Sequence, residues 1–427
     1  MLTQIKHIVE SLHERIFGHP MSDEMRSFIG NLSFSFILGV GTAGILFIVN
    51  IGMARMLGPA GYGGYNLFLS LATSSTFIFL LGTNTSSTRY VADNEQADRK
   101  NRLMSAALSL VMLQAIGVFL VSFLLGEYFS QKFQVSTGYL MLILLFGFVF
   151  SIRELLDGIL RALTLFKRES WLKLLDAAIV LSSVAAIYLF SYQSIQYYHY
   201  IFSLVLGASF FIFLAIIFLY PKFERFSWQD VKLLLHYNKY LIIAGLSGLF
   251  LSSEKAFLSI YISNEELGVY SAYYTASQTV ISTAGIMFMN IFWPNVIKSG
   301  ENMQPIVEKL KILFLRYFPA LLILNCLSTF VFVQFFGSQY PFRLSFVILF
   351  ASASLLNIIF FVFMSILNIR KIGLATIINL SIYGLMVGSI FLFKNVSGYL
   401  LAQISIYVLA IAYVLYRIHK TYILKQV

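Results

Sequence analysis

Several charged side chains lie where the surrounding sequence leaves little water. Arg153, Asp157 and Arg161 are spaced i, i+4, i+8, with Glu154 beside them, in an apolar run covering 139–163. At about 100° per residue the three occupy one helical stripe. Arg153 with Asp157, and Asp157 with Arg161, can pair along it. Two roles suit the pattern: ion pairs that hold the helix to its neighbours, or the charged wall of a wet cavity. Glu254 and Lys255 sit inside a second apolar run, 240–262. Adjacent positions face different sides of a helix, so each needs its own partner. An acid at that depth can bind a proton or a cation, and a base can hold an anion. Asp176 has Lys173 and Lys167 as its expected partners.

Hydroxyl and amide side chains form a second pattern. The run 65–84 carries Ser70, Thr73, Ser74, Ser75 and Thr76, and hydroxyls continue to Thr88. The run 269–292 carries Ser271, Thr275, Ser277, Gln278, Thr279, Ser282, Thr283 and Asn290. Small polar residues glue helices together, or they line a hydrophilic path. On the second reading Asn50, Ser74, Thr76, Gln278 and Asn290 are the cavity-lining candidates. Tyr192, Tyr197, Tyr198 and Tyr200 cluster at a run boundary, as an interfacial aromatic belt does.

The elements that position these residues are membrane-spanning helices. The chain is 59% hydrophobic and 11% charged, against about 25% charged in a soluble domain, and its mean hydropathy is +0.81. Apolar runs of about 20 residues recur, each long enough to cross about 30 Å of hydrocarbon. They cover 32–57, 65–84, 103–125, 139–163, 172–190, 198–219, 240–262, 269–292, 312–335, 342–367, 373–393 and 399–415. The runs are apolar on all faces, which excludes barrel strands. The fold class expected is an all-α polytopic membrane protein of about twelve transmembrane helices.

The chain also repeats itself. Leu57-Gly58-Pro59-Ala60-Gly61-Tyr62-Gly63-Gly64-Tyr65 and Ile262-Ser263-Asn264-Glu265-Glu266-Leu267-Gly268-Val269-Tyr270 each separate two apolar runs. Gly63 falls on Gly268 and Tyr65 on Tyr270, and Glu254-Lys255 falls on Val49-Asn50. A second echo places 163–168 on 366–371. Two six-helix lobes related by a pseudo-two-fold repeat place a working site between them, near mid-bilayer. The expected division is a cytoplasmic amphipathic segment 1–28, an N-lobe 29–219, a cytoplasmic linker 220–239, a C-lobe 240–418 and a cytoplasmic tail 419–427. Ile5, Val9, Leu12 and Ile16 make the stripe of a surface helix in the first segment. In the linker, Ser227-Trp228-Gln229-Asp230 suits the start of a short capped helix, with Trp228, Val231, Leu234 and Leu235 on one face.

Net charge is +11, and its placement argues topology rather than nucleic acid. Of the 30 Lys and Arg residues, 24 gather on alternate loops, the opposite loops hold only Lys132, Arg343 and Lys394, and Arg55, Arg153 and Lys255 lie within or at the ends of apolar runs. The positive-inside rule then puts both termini in the cytoplasm. The single cysteine, Cys326, excludes an intramolecular disulfide and a Cys-based metal site. No cleavable signal peptide is read at the N-terminus, no Walker loop is present and no His pair is spaced for a metal. No large loop offers itself for catalysis. An enzyme, a metal centre and a cofactor are therefore not expected.

The stretch Ala54-Arg55-Met56-Leu57-Gly58-Pro59-Ala60-Gly61-Tyr62-Gly63-Gly64-Tyr65 resembles the hallmark of Wzx-type polysaccharide flippases, which handle O-antigen and exopolysaccharide repeat units. These belong to the multidrug/oligosaccharidyl-lipid/polysaccharide exporter superfamily. Thr88-Arg89-Tyr90-Val91-Ala92, Gly158-Ile159-Leu160-Arg161-Ala162, Leu267-Gly268-Val269-Tyr270 and the Glu254-Lys255 pair extend the likeness over the whole chain. The resemblance implies a carrier in the bacterial inner membrane. It would move undecaprenyl-diphosphate-linked oligosaccharide from the inner to the outer leaflet by alternating access. It also implies a V-shaped pair of lobes with a cavity lined by spans 1, 2, 7 and 8. Expected partners are that lipid-linked substrate, membrane lipid, a polysaccharide polymerase and a chain-length regulator. Here spans 1, 2 and 8 hold no charge in their interiors. Contact with a diphosphate then falls to Arg153, Arg161 and Lys255, with Arg55 and Arg89 at helix ends as gate residues, and ion coupling to Glu254 and Asp157. The nearest rival is a cation-coupled drug or solute antiporter of the same superfamily, which would favour an apolar, acid-containing pocket. A membrane glycosyltransferase would need a catalytic acid on an outer loop, where only Glu127, Glu265 and Glu266 stand.

Overall fold

The computed structural model describes residues 23–133, 136–191, 196–278 and 304–422, together with 281 and 285. Among the described residues every long element is a helix and there is no strand. In chain order they are α1 (Asp23–Leu80), α2 (Thr83–Asp93), α3 (Ala97–Phe133), α4 (Thr137–Ala162), α5 (Phe166–Ser191) and α6 (Tyr197–Leu219). After a 3-10 turn at Tyr220–Lys222 come α7 (Trp228–Leu258) and α8 (264–278). The last four are α9 (Gln304–Phe335), α10 (Leu344–Arg370), α11 (Ile372–Phe393) and α12 (Val396–Tyr422). The stripe at Ile5–Ile16 and Asn290 lie outside the described residues.

Ten described helices are long and apolar enough to cross a membrane, so the protein is multi-pass. The first of them is a 44-residue apolar stretch, Ile37–Leu80. It would reach about 66 Å as one straight helix, too long for about 30 Å of hydrocarbon. Gly58 divides it. Its φ of 64° and ψ of 175° reverse the chain, and Pro59 opens the second segment. Spans 1 and 2 are therefore the two arms of α1. Spans 3 to 12 are α3 to α12, with α8 only partly within the described residues. The order is six spans, the linker, then six spans. Leu81 (φ 41°) and Gly82 (φ 84°) make a second break, after which α2 prolongs span 2. Large side chains such as Phe123, Phe190 and Leu392 point outward at 80%, 87% and 79% exposure, a surface that only lipid solvates.

The buried side chains form three principal clusters. One joins Leu103, Met104, Leu155, Ile159, Leu160, Phe211 and Leu219 of the first half. A second joins Leu355, Phe360, Phe363, Ile366, Tyr407 and Val414 of the second half. The third mixes both halves: Met53, Tyr62, Tyr65 and Tyr200 with Leu258, Tyr270, Tyr273, Phe336 and Tyr399. Its members lie toward the end of the spans nearest Gly58. The lobes share a core at that end and keep separate cores at the other, where Tyr237 lies.

The linker differs from its expected form. Ser227 and Asp230 make a reciprocal capping box, but the helix they start does not stop. It runs 31 residues into span 7. No Gly or Pro breaks it before Gly245, and its apolar face has somewhere to dock: Val231 and Leu234 enter the core of the first half. Helix α7 thus begins in one lobe and ends in the other.

Candidate functional site

Span 2 and α7 form a seam between the halves, and polar contacts run along it. Lipid tails are as apolar as leucine, so helices in a bilayer associate through close packing and hydrogen bonds. Ser74 Oγ lies 3.0 Å from Ser252 Oγ and 2.8 Å from Ser253 Oγ. Ser70 Oγ donates to the Ser252 carbonyl and accepts from the Ala256 amide. Ser74, expected on a cavity wall, is placed in this seam. Thr76 turns instead toward the Gly147 carbonyl of α4, at 3.3 Å.

Glu254 and Lys255 part company. Lys255 Nζ crosses the seam and donates to Asn66 Oδ1 of span 2 at 2.6 Å, with the Tyr274 ring 5.1 Å away. Among the described residues no carboxylate oxygen lies within ion-pairing distance of that ammonium. Asn66 is itself oriented, its amide nitrogen donating to the Tyr62 carbonyl at 2.9 Å. Glu254 faces the other way, into the core of the C-lobe. It is buried, it accepts a hydrogen bond from the Tyr270 hydroxyl, and Tyr399 lies beside the same carboxylate. Of the pair, the base is the member that reaches between the halves. The repeat persists here: Asn50, the counterpart of Lys255, accepts from the Tyr62 hydroxyl at 3.0 Å. Tyr65 packs on Tyr200 as Tyr270 packs on Tyr399, with ring centroids 4.7 and 6.5 Å apart.

The charges of α4 choose partners on α5. Arg153 does not pair with Asp157. Its Nε and Nη2 both donate to Asp176 Oδ2, at 2.9 and 2.6 Å, and the Phe150 and Phe211 rings flank the guanidinium. Asp176 is thus satisfied by Arg153 rather than by Lys173 or Lys167. The cause is rotation: α4 turns this stripe onto α5, where Asp176 already faces. Asp157 pairs with Arg161 at 3.2 Å, as the spacing predicts, and with Lys173 at 3.0 Å. Lys173 also bonds Glu169 at 2.6 Å. Arg153 and Arg161 therefore sit in ion pairs within the N-lobe and are not brought together with Lys255.

Arg55 and Arg89 lie at opposite ends of the halves' contact. Arg55 Nε donates to the Phe335 carbonyl at the end of α9, at 2.6 Å, and the Gln339 amide donates back to the Arg55 carbonyl at 3.2 Å. Arg89 donates to the Tyr237 hydroxyl on α7 and stacks over its ring. Gln278 closes the described part of α8. Tyr200 leaves the expected aromatic belt for the shared core, 3% exposed, while Tyr198 stays outside. Sequence reasoning missed Asn66, Tyr270 and Tyr399. The signal available for Asn66 was its place as the one amide in the first half of span 2, four residues before the run of hydroxyls that opens at Ser70. Among the described residues no group of three His, Cys, Asp or Glu could hold a metal ion.

Comparison with known proteins bears on the fold. The inward-facing structure of a multidrug resistance MATE family transporter of the MOP superfamily superposes with a TM-score of 0.63. Its identity is 12%, and the match covers 92% of this chain and 98% of that one. A MOP superfamily transporter from Pyrococcus furiosus, reported with a binding pocket of reverse polarity, gives 0.57 at 13% identity over 91% and 95%. A MATE structure in complex with MaL6 gives 0.58 at 13% identity over 92% and 96%. These likenesses establish the two-lobe transporter fold. No curated protein sequence matches the chain. The family profile described as polysaccharide biosynthesis protein matches residues 28–296. With most of its length so matched, and with that fold, the chain belongs to the polysaccharide biosynthesis protein family.

Proposed function

We propose that the protein is a flippase. It would carry an undecaprenyl-diphosphate-linked oligosaccharide from the inner to the outer leaflet of the bacterial cytoplasmic membrane by rocking its lobes, 29–219 against 240–418. The observation that carries this reading is Lys255, an ammonium at span depth that reaches between the halves and rests on an amide rather than a carboxylate. A neutral amide is a weak partner for a buried cation, whereas a phosphate is a strong one. A lipid diphosphate entering between the lobes displaces Asn66 and takes the ammonium. Arg153 and Arg161 reach the same anion only by exchanging carboxylate for phosphate. With Lys and Arg on the cytoplasmic side, the Gly58 end faces outward. The arrangement with its shared core there is the one that loads substrate from the inside. Arg55 then acts at the outer gate and Arg89 at the inner one. Polymerase and chain-length regulator are the partners for the delivered product.

The test is complementation of a flippase-deficient strain combined with reconstituted flipping. Lys255→Gln should abolish surface polysaccharide at normal expression. Wild-type polysaccharide in that variant overturns the assignment. Resistance to cationic drugs that depends on Glu254, with no effect on polysaccharide, would instead mark a drug antiporter.

A further inference from the structure

A cleft of about 560 Å³ lies outside the seam, where the linker passes the start of α3. Its walls carry three guanidinium groups, Arg99 and Arg102 from α3 and Arg225 from the linker, against one carboxylate, Asp230. One oxygen of that carboxylate, Oδ2, is committed. It accepts from the Ser227 amide and hydroxyl at 2.9 and 3.0 Å and stands 3.7 Å from Arg102. The nearby Glu224 carboxylate is turned away to Asn101, at 2.8 Å. Among the described residues Arg99 and Arg225 have no ion pair or hydrogen-bond acceptor. Of the amides opening α7, those of Ser227 and Asp230 are held within its own cap, and the fixed positive charge of the cleft is that of its guanidiniums.

Position identifies the anion. The charged opening of α3 ends at Arg102 and its apolar stretch begins at Leu103, while the apolar face of α6 ends at Leu219. Arg99 therefore sits about 6 Å beyond the hydrocarbon boundary, inside the headgroup layer, which is about 5–7 Å thick on each side. Exposed aromatic rings accompany it: Phe226 on the cleft wall and Trp228 and Tyr220 nearby, at 40%, 60% and 74% exposure. Such rings settle at the headgroup level. General positive-inside charge needs neither a cleft nor this convergence from two segments.

We infer that this cleft binds the phosphate headgroup of an anionic phospholipid. The bound lipid bridges Arg225 of the linker to Arg99 and Arg102 of α3. It pins the connection between the lobes to the N-lobe, whose core already holds Val231 and Leu234 of α7, the helix that follows the linker. The inference stands apart from the identity of the transported substrate.

The experiment titrates the full-length protein in detergent with short-chain phosphatidylglycerol and follows it by native mass spectrometry. The wild type should show one tight phosphatidylglycerol and no comparable phosphatidylcholine. Arg99→Gln/Arg225→Gln should weaken phosphatidylglycerol about thirtyfold. Its melting temperature without lipid should match the wild type, because neither guanidinium has a protein partner to lose. Lys309→Gln/Lys311→Gln, on exposed α9 positions, should leave binding unchanged. Equal losses in the two double variants, or no loss in the first, overturns the site. Displacement of the lipid by millimolar inorganic phosphate would make the ligand a soluble anion and overturn the lipid assignment.

Discussion

Gly63 and Gly268 meet where the lobes join. A Cβ on Gly63 would come within 1.8 Å of the Asn264 carbonyl oxygen, and one on Gly268 within 1.9 Å of the Pro59 carbonyl oxygen. Each glycine leaves room for the backbone of the other half, and the two are counterparts in the internal repeat. The obstructing atoms are main chain, so no rotamer change can make space. Gly63→Ala or Gly268→Ala should therefore hold the Gly58 end apart. Spin labels at 60 and 265 should report a longer, broader distance than in the wild type, and stability should fall by about 1–3 kcal/mol, as overpacking costs. An unchanged distance distribution would mean that the crossing does not govern closure.

Asn66→Ala should weaken the resting contact of Lys255 without removing its charge. A hydrogen bond to a charged group contributes about 1.5–3 kcal/mol, so the melting temperature should drop while substrate binding is kept or tightened. Loss of lipid-diphosphate binding in Asn66→Ala, measured on folded protein, would show that the amide and not the ammonium makes the contact.

Arg153 and Asp176 offer a test of ion pairing against substrate contact. Removing either partner alone leaves a charge in a half-buried site and should cost about 3–5 kcal/mol. Arg153→Met/Asp176→Leu should recover most of that stability, since an apolar pair of similar volume replaces it. Thermal unfolding of the three variants checks this. Additive losses in the double variant would show that the two side chains act independently.

We propose Glu254 as the acid that would couple transport to an ion. Its carboxylate is held by Tyr270 in the C-lobe, one residue from the base that reaches the N-lobe. On that proposal, uptake of a proton or cation there would change the charge beside Lys255, and with it the preferred arrangement of the lobes. Glu254→Gln should bind lipid-linked substrate but lose any response of flipping to an imposed pH or sodium gradient. A wild-type protein indifferent to both gradients would leave the acid a structural role.

The spans, their division into six and six, the repeat and the cap at Ser227 were legible in the chain, because each depends on hydropathy, periodicity or contacts within one turn. Which residues carry charge into the membrane was legible for the same reason. What each charge meets was not. Asp157 found Arg161 on its own helix, as spacing predicts, but Arg153 bonded Asp176, 23 residues away, and Lys255 bonded Asn66, 189 residues away. Those choices depend on how far each helix is rotated about its axis, and rotation is set by the packing of all its neighbours at once. The repeat aligned Gly63 with Gly268 in the sequence. Only the seating of one lobe on the other made them cross, since a backbone carbonyl can approach a helix that closely only where the facing residue has no Cβ.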